Sequence, residues 1–258
     1  MDFAAFKNRV VTTFRLSLDG YKEHQLRRRI GNLMARRKIE DYARYFELLR
    51  TDRAAYQEFL DYLTINVTEF FRDPAMFRRL EEEFLPELLK SGFVLRIWSA
   101  GCANGAEPYS VAIILDELTP GRRHRIEGTD VDRRVLEVAR EGRYPAELLR
   151  NLSPTRRTRY FYSEGQDFVL DASIRRRVEF RYHDLLRDPY GTGYDLIMCR
   201  NVTIYFTREA QARVNEQLAR ALRPGGILFI GGAETIFNYR ELGYEKLAPC
   251  FYRKVRGG

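Results

Sequence analysis

The chain has 258 residues, 45% hydrophobic and 13% aromatic, enough for one large domain or two smaller ones around a packed core. No apolar run nears the roughly 20 residues that span a bilayer, and Met1-Asp-Phe-Ala-Ala-Phe-Lys7 lacks a signal-peptide layout, so a cytoplasmic chain is expected. A formal net charge of +8 favours an acidic partner without choosing among nucleic acid, a membrane surface and an acidic protein.

Residues 1 to about 90 read as helical. Phe3, Phe6, Val10 and Phe14 recur every three to four residues. Leu16-Ser-Leu-Asp-Gly20 is a break. A second helix, Glu23 to about Lys38, sets Leu26, Ile30, Leu33 and Met34 on one side and Arg27, Arg28, Arg36 and Arg37 on others. A solvated face explains such a charge run, and so does a docking surface for an acidic helical partner. Further helices start near Glu40 and Arg53. A domain boundary is expected near residue 75, with a connecting helix through about residue 92 (Leu80 to Lys90 at its centre) and a second domain over 93–258.

From Phe93 strands and helices alternate. Strands are expected at Val94–Trp98, His124–Thr129, Val178–Tyr182, Tyr194–Cys199 and Ile227–Ile230, and helices at Pro108–Leu118, Arg133–Arg140 and Arg208–Leu222. One or two strand-like runs follow in Tyr244–Val255. This is the pattern of an α/β domain with a mostly parallel sheet and helices on both faces. Residues 144–177 interrupt it as an insert: Tyr144-Pro145 reads as a helix end, and Tyr160 to Leu170 as a small hairpin.

The stretch Leu95 to Leu115 runs strand, glycine turn, helix, the layout of a nucleotide-type crevice. Its turn, Gly101-Cys-Ala-Asn-Gly105, is not the Gly-x-Gly-x-x-Gly of a dinucleotide site, and Glu107 stands at the helix start. A carboxylate there repels a pyrophosphate and suits an ammonium. S-adenosylmethionine (AdoMet) carries an ammonium, a sulfonium and a ribose, and no phosphate. Asp130, at the end of the next strand, is placed to accept from ribose hydroxyls. Both acids could also serve only as helix caps. With the later Arg223-Pro-Gly-Gly turn before a strand, the set reads as a Rossmann-like AdoMet-dependent methyltransferase domain.

Four segments carry a family resemblance: Thr64-Ile-Asn-Val-Thr-Glu-Phe-Phe-Arg-Asp73, Ala106-Glu-Pro-Tyr-Ser110, Gly128-Thr-Asp-Val-Asp-Arg-Arg-Val-Leu-Glu137 and Cys199-Arg-Asn-Val-Thr-Ile-Tyr-Phe206. They closely resemble the CheR family of chemotaxis receptor methyltransferases, over nearly the whole chain. The resemblance implies methyl transfer from AdoMet to glutamate side chains of a chemoreceptor's cytoplasmic domain, giving γ-methyl esters and S-adenosylhomocysteine. It implies that Asn66, Thr68 and Arg72 reach into the cofactor site, that Glu107 and Asp130 hold the amino-acid and ribose regions, and that Asp184 and Leu185 flank the adenine. Arg200 and Tyr205 would border the reacting methyl. Ala100, Gly101 and Cys199 complete the expected cofactor contacts, and Arg72 and Tyr205 are the expected catalytic residues. The family often carries Asn where this chain has Asp184, which removes an amide donor from the adenine side. The basic second helix would be the receptor-docking surface, with recruitment to membrane receptor clusters and no insertion into the membrane.

The chemistry agrees independently. A glutamate with a pKa near ~4.3 is already ionised at neutral pH, so displacement at a sulfonium needs orientation rather than a base. Whether Arg72 or Arg200 meets the substrate carboxylate or that of AdoMet stays open at this stage, as does the role of Tyr205 as a donor or as channel wall. His24, His124 and His183 form no metal-like cluster, so no metal is expected. Cys102, Cys199 and Cys250 read as reduced thiols, the first two as buried fillers. A nucleic-acid methyltransferase would want an Asn/Asp-Pro-Pro-aromatic run after the fourth strand, where this chain has Arg200-Asn-Val-Thr-Ile-Tyr205. A non-catalytic AdoMet-binding, receptor-docking protein is the alternative from another class, and intact Arg72 and Tyr205 speak against it.

Overall fold

The computed structural model describes residues 1–64, 68–91 and 94–255. Four helices open it: α1 (Phe3–Phe14), α2 (Glu23–Arg36), α3 (Tyr42–Thr51) and α4 (Arg53–Thr64). Their apolar stripes meet in one core built on Phe6, Val10, Ile30, Leu33, Phe46, Leu49 and Phe59. Asp2 caps α1 by accepting from Ala5 N at 2.8 Å, and Asp41 caps α3 by accepting from Arg44 N at 3.2 Å. The inward stripe of α2 is Leu26, Ile30, Leu33 and Met34, which leaves Arg27, Arg28, Arg36 and Arg37 exposed.

A continuous helical stretch follows: α5 (Pro74–Arg79), a π turn over Leu80–Phe84, and α6 (Leu85–Ser91). It starts at Pro74, close to the expected boundary near residue 75, because Asp73 turns the chain at φ 60 and Pro74 fits the first helical position.

The second half runs β1 (Arg96–Ala100), α7 (Ala106–Leu118), β2 (Arg125–Asp130), α8 (Arg133–Glu141), β3 (Arg143–Pro145), α9 (Pro154–Tyr160), β4 (Phe161–Glu164), β5 (Asp167–Leu170), α10 (Ala172–Arg175), β6 (Val178–Tyr182), β7 (Tyr194–Cys199), α11 (Arg208–Ala221), β8 (Leu222–Ile230), β9 (Tyr244–Ala248) and β10 (Phe251–Lys254). A seven-stranded sheet has the order β6-β2-β1-β7-β8-β10-β9. Its first five strands are parallel, and β10 pairs antiparallel with β8 and β9. All of β7 is buried, as a strand covered on both faces requires. The architecture is the expected α/β sheet with helices, preceded by an all-α segment.

Three details depart from the sequence reading. The first strand begins at Arg96, and Val94 lies outside it, half exposed. Pro224-Gly-Gly is part of β8, accommodated where the pairing with β7 shifts register. Tyr144-Pro145 is not a helix end: Gly142, at φ 66, closes α8, and Tyr144 then pairs with Phe168 in a small sheet of order β3-β5-β4.

The strand order places β2 on one side of β1 and β7 on the other. Their carboxyl ends therefore diverge around a crevice, where an open sheet of this type binds its ligand. The helical segment covers that end. Tyr21 bridges Phe206, Thr207 N donates to Gly20 O at 2.7 Å, and Gln57 Nε2 reaches both carboxylate oxygens of Asp132 at 3.0 and 3.1 Å. Among the described residues no helix is long and apolar enough to cross a membrane.

Phe70 joins the 64–73 segment to the insert. It is fully buried, meets the rings of Tyr144 and Phe161 edge-on at 4.9 and 5.1 Å, and its N–H donates to Leu148 O at 3.0 Å. Phe70→Ala is expected to cost about 3–5 kcal/mol in urea unfolding; a loss under ~1 kcal/mol would show that the contact is not structural.

Candidate functional site

The floor of the crevice is the turn after β1. Gly101 and Cys102 donate their N–H groups to Thr129 O at 2.8 and 2.9 Å, which curls the chain back over β2. Gly101 sits at φ +79, and a Cβ there would lie 2.5 Å from Val202 Cγ2, so only glycine fits. Asp130 fixes the far side of this turn. Its Oδ2 accepts from Ala103 N at 2.9 Å and its Oδ1 from Asp132 N at 3.0 Å. Burial pushes its carboxyl up to about 6, against the pull of those backbone donors.

Glu107 enters from the first turn of α7. Ser99 Oγ donates to its Oε1 at 2.7 Å, and Arg200 Nη1 to its Oε2 at 3.3 Å. Burial raises its carboxyl, while Arg200 and Ser99 pull it back. Arg200, with 2% of its side chain exposed, donates from Nη2 to Asp73 Oδ2 at 2.5 Å and to Arg72 O at 3.1 Å. Its guanidinium lies 4.4 Å from the Phe229 ring centre and 5.3 Å from that of Phe77.

Helical-segment residues close the other wall. Tyr21, Leu63 and Thr64 face the cleft together with Thr68 and Arg72. Tyr205, on a short 3-10 turn over Thr203–Tyr205, is held from the same side: Arg29 of α2 lies 4.7 Å over its ring and Lys22 N donates to its carbonyl at 3.0 Å. The cleft opens to solvent, and its free space, open mouth included, is about 1010 Å³.

The cleft thus gathers Thr68, Arg72, Gly101, Glu107, Asp130, Asp184, Leu185, Arg200 and Tyr205 from segments up to 137 positions apart (205 − 68). Ala100 and Cys199 are not brought to it. Strand alternation turns their side chains into the core beneath α11, and Gly101 and Arg200 line the cleft in their place. Asn66 lies outside the described residues. Asp184 accepts from Leu186 N at 2.9 Å and, across the two segments, from Ser17 N at 3.3 Å. An amide at this position would offer one such oxygen instead of two.

Sequence reasoning missed Tyr21, His183, Asn201 and Val202, among others. His183 and Asn201 stand beside residues that the motifs had marked; Tyr21 follows a glycine break and has no local signal. His183 Nε2 and Asn201 Oδ1 are buried and have no hydrogen-bond partner among the described residues. Burial lowers the His183 imidazole, which keeps it neutral near pH 7. Glu107, Asp130 and Asp184 outnumber Arg72 and Arg200 in the wall. That balance disfavours a polyphosphate and fits a ligand bearing an ammonium and hydroxyl donors. Among the described residues no group of three or more His, Cys, Asp or Glu could hold a metal ion.

Residues 66–248 match the family described as CheR methyltransferase, SAM binding domain, and residues 1–64 match the CheR methyltransferase, all-alpha domain. The chemotaxis protein methyltransferase of Listeria monocytogenes serovar 1/2a is 38% identical over 255 residues, 98% of this chain and 97% of that protein. Chemotaxis protein methyltransferase 1 of Pseudomonas aeruginosa is 34% identical over 261 residues, 96% of this chain and 94% of that protein.

Two buried carboxyls with raised pKa make ligand affinity depend on pH. S-adenosylhomocysteine binding by calorimetry should be flat above pH ~7 and weaken by up to tenfold per unit as pH falls below about 6, because protonated Asp130 loses acceptor capacity. Glu107 acts in the same direction. Affinity unchanged down to pH 5 would show that neither carboxylate receives a ligand donor.

Proposed function

Because the chain belongs to the CheR family of AdoMet-dependent chemotaxis methyltransferases, we propose that it methylates glutamate side chains on the cytoplasmic domain of a chemoreceptor. The observation that carries this reading is the single cleft in which Thr68 and Arg72, Glu107, Asp130, Arg200 and Tyr205 converge. AdoMet supplies a methyl group already activated by its sulfonium. The protein's task is to bind, orient and keep charge unquenched.

In this reading Glu107 receives the donor's ammonium on lone pairs that Ser99 and Arg200 leave open. Asp130 receives the ribose hydroxyls, with adenine between Leu185 and Asp184. Thr68 lines the same wall, and Asn66 belongs to the same motif. Arg200 is committed to Glu107, Asp73 and two aromatic rings. Arg72, which lines the cleft, would be the guanidinium that meets a carboxylate at the reacting end. Tyr205, stiffened by Arg29, would border the path of the methyl and offer its hydroxyl to the incoming carboxylate. A glutamate needs no deprotonation at pH 7, so orientation is the main contribution.

The N-terminus of α2 adjoins this rim: Lys22 Nζ donates to Ile204 O at 2.8 Å, and Arg29 covers Tyr205. Its outer arginines differ. Arg37 is held by Glu58, with its Nη2 2.7 Å from Oε2, and Arg27 pairs with Glu23 at 3.2 Å over the Phe3 ring. Arg36 stacks on Tyr62, and Arg28 has no carboxylate partner among the described residues. A basic helix at the rim supports docking of a glutamate-bearing receptor helix there, through Arg28 and Arg36 foremost, with Arg27 and Arg37 contributing. On a division into a helical domain over 1–75, a connecting helix to residue 92 and a catalytic domain over 93–258, docking would fall to the first and most of the chemistry to the last, with Thr68 and Arg72 reaching into the cleft from the end of the first.

The direct assay incubates the protein with methyl-labelled AdoMet and receptor cytoplasmic fragments. Base-labile, volatile methanol from the product is expected; label in nucleic acid, or tight AdoMet binding without transfer, would overturn the reading. Arg72→Ala should lower transfer at least ~100-fold, the scale of a lost transition-state contact, while leaving the fold intact by circular dichroism. Reversing Arg28 and Arg36 to Glu should raise KM for the receptor fragment and reduce its salt dependence. Equal loss of S-adenosylhomocysteine affinity would mean that α2 is only structural.

A further inference from the structure

Glu234 lies outside the cleft wall and outside every motif that the sequence singled out. It follows β8 in Gly231-Gly-Ala-Glu234. Its two carboxylate oxygens accept five hydrogen bonds. Oε1 takes Val202 N at 3.0 Å, Thr203 N at 2.8 Å and Thr203 Oγ1 at 2.8 Å. Oε2 takes Asn201 N at 2.9 Å and Gly231 N at 2.7 Å. Three successive backbone N–H groups thus point at one side chain.

These amides leave the sheet at the end of β7 and lead into the 3-10 turn that carries Tyr205, Thr203 being its first residue. Asn201 stands at φ 59, an uncommon conformation for a residue with a Cβ, and such geometry persists only where its surroundings enforce it. The approach is close. A Cβ on Gly231 would lie 2.8 Å from Asn201 N and 2.9 Å from Glu234 Oε2, so the residue just after β8 must be glycine. The flanking structure has separate support: Cys199 pairs with Ile230 across the sheet, and Arg200 is fixed by Glu107 and Asp73.

We propose that Glu234 is a positioning residue for methyl transfer, a carboxylate clamp that sets the 201–205 loop and thereby the place of Tyr205. The proposal rests on the reading that Tyr205 borders the reacting methyl. Because Arg200 and Glu107 are anchored independently, the clamp governs the loop and not the grip on the donor's amino-acid end.

The test uses the full chain with Glu234→Ala and Glu234→Gln. Gln keeps the volume but turns an NH2 group toward backbone donors, so it should not rescue. For both variants kcat should fall about 30-fold or more while the S-adenosylhomocysteine Kd stays within about 3-fold, the pattern of an interaction lost in the transition state. In hydrogen exchange, amides 201–203 should lose protection while those of Leu196–Met198 in β7 keep theirs. Gly231→Ala should reproduce the effect. Should Glu234→Ala fail to fold, Glu234→Gln carries the measurement. Parental kcat in Glu234→Gln, or a proportional loss of ligand binding and of β7 protection, overturns the clamp. If the parent protein methylates no receptor fragment, the functional reading fails on its own, and unchanged exchange at 201–203 remains the result that would overturn the clamp.

Discussion

The guanidinium of Arg200 is the interaction on which the rest of the site depends. A charge with 2% of its side chain exposed is tolerable only when paired and hydrogen-bonded. Here it meets Glu107 from the start of α7, Asp73 and the Arg72 carbonyl from the segment before α5, and the rings of Phe77 and Phe229. Three stretches of chain that are remote in sequence, at 72–77, Glu107 and Phe229, are thereby held around one group. The same contact tunes Glu107. Burial alone favours its neutral acid, and Arg200 and Ser99 oppose that.

The second constraint is the seam between the helical segment and the sheet. It is polar and specific: Ser17 N on Asp184, Lys22 on Ile204, Arg29 on Tyr205, and Gln57 on Asp132. Each contact joins a residue of the first 64 positions to a loop at the carboxyl end of a parallel strand. The helical segment is therefore part of the cleft wall. On the functional reading proposed above, these contacts tie the basic surface of α2 to the loops around the reacting centre.

Much of this was legible in the chain. Strand, turn and helix around Gly101 fixed the crevice, because positive φ and a small residue after a parallel strand leave few alternatives. Glu107 argued for an ammonium over a pyrophosphate from its place at a helix start, and the structure buries it beside Ser99 and Arg200. What escaped were relations across long separations. Tyr21 is recruited by a β-bridge to Phe206, and Glu234 acts on amides more than 30 positions away, as no local pattern announces. Ala100 and Cys199 stood in the right segments with their side chains on the other face, since a strand alternates. The insert was seen as a hairpin, while the third strand at Tyr144 was hidden by the proline that follows it.

Arg200 couples Arg72 and Asp73 to Glu107 at the start of α7. A double-mutant cycle of Asp73→Asn and Glu107→Gln, read as S-adenosylhomocysteine affinity, measures that coupling directly. The two carboxylates share one guanidinium, so the cycle should be non-additive by more than about 0.5 kcal/mol. Additivity within about 0.3 kcal/mol would show that Arg200 does not transmit between them and would contradict the account.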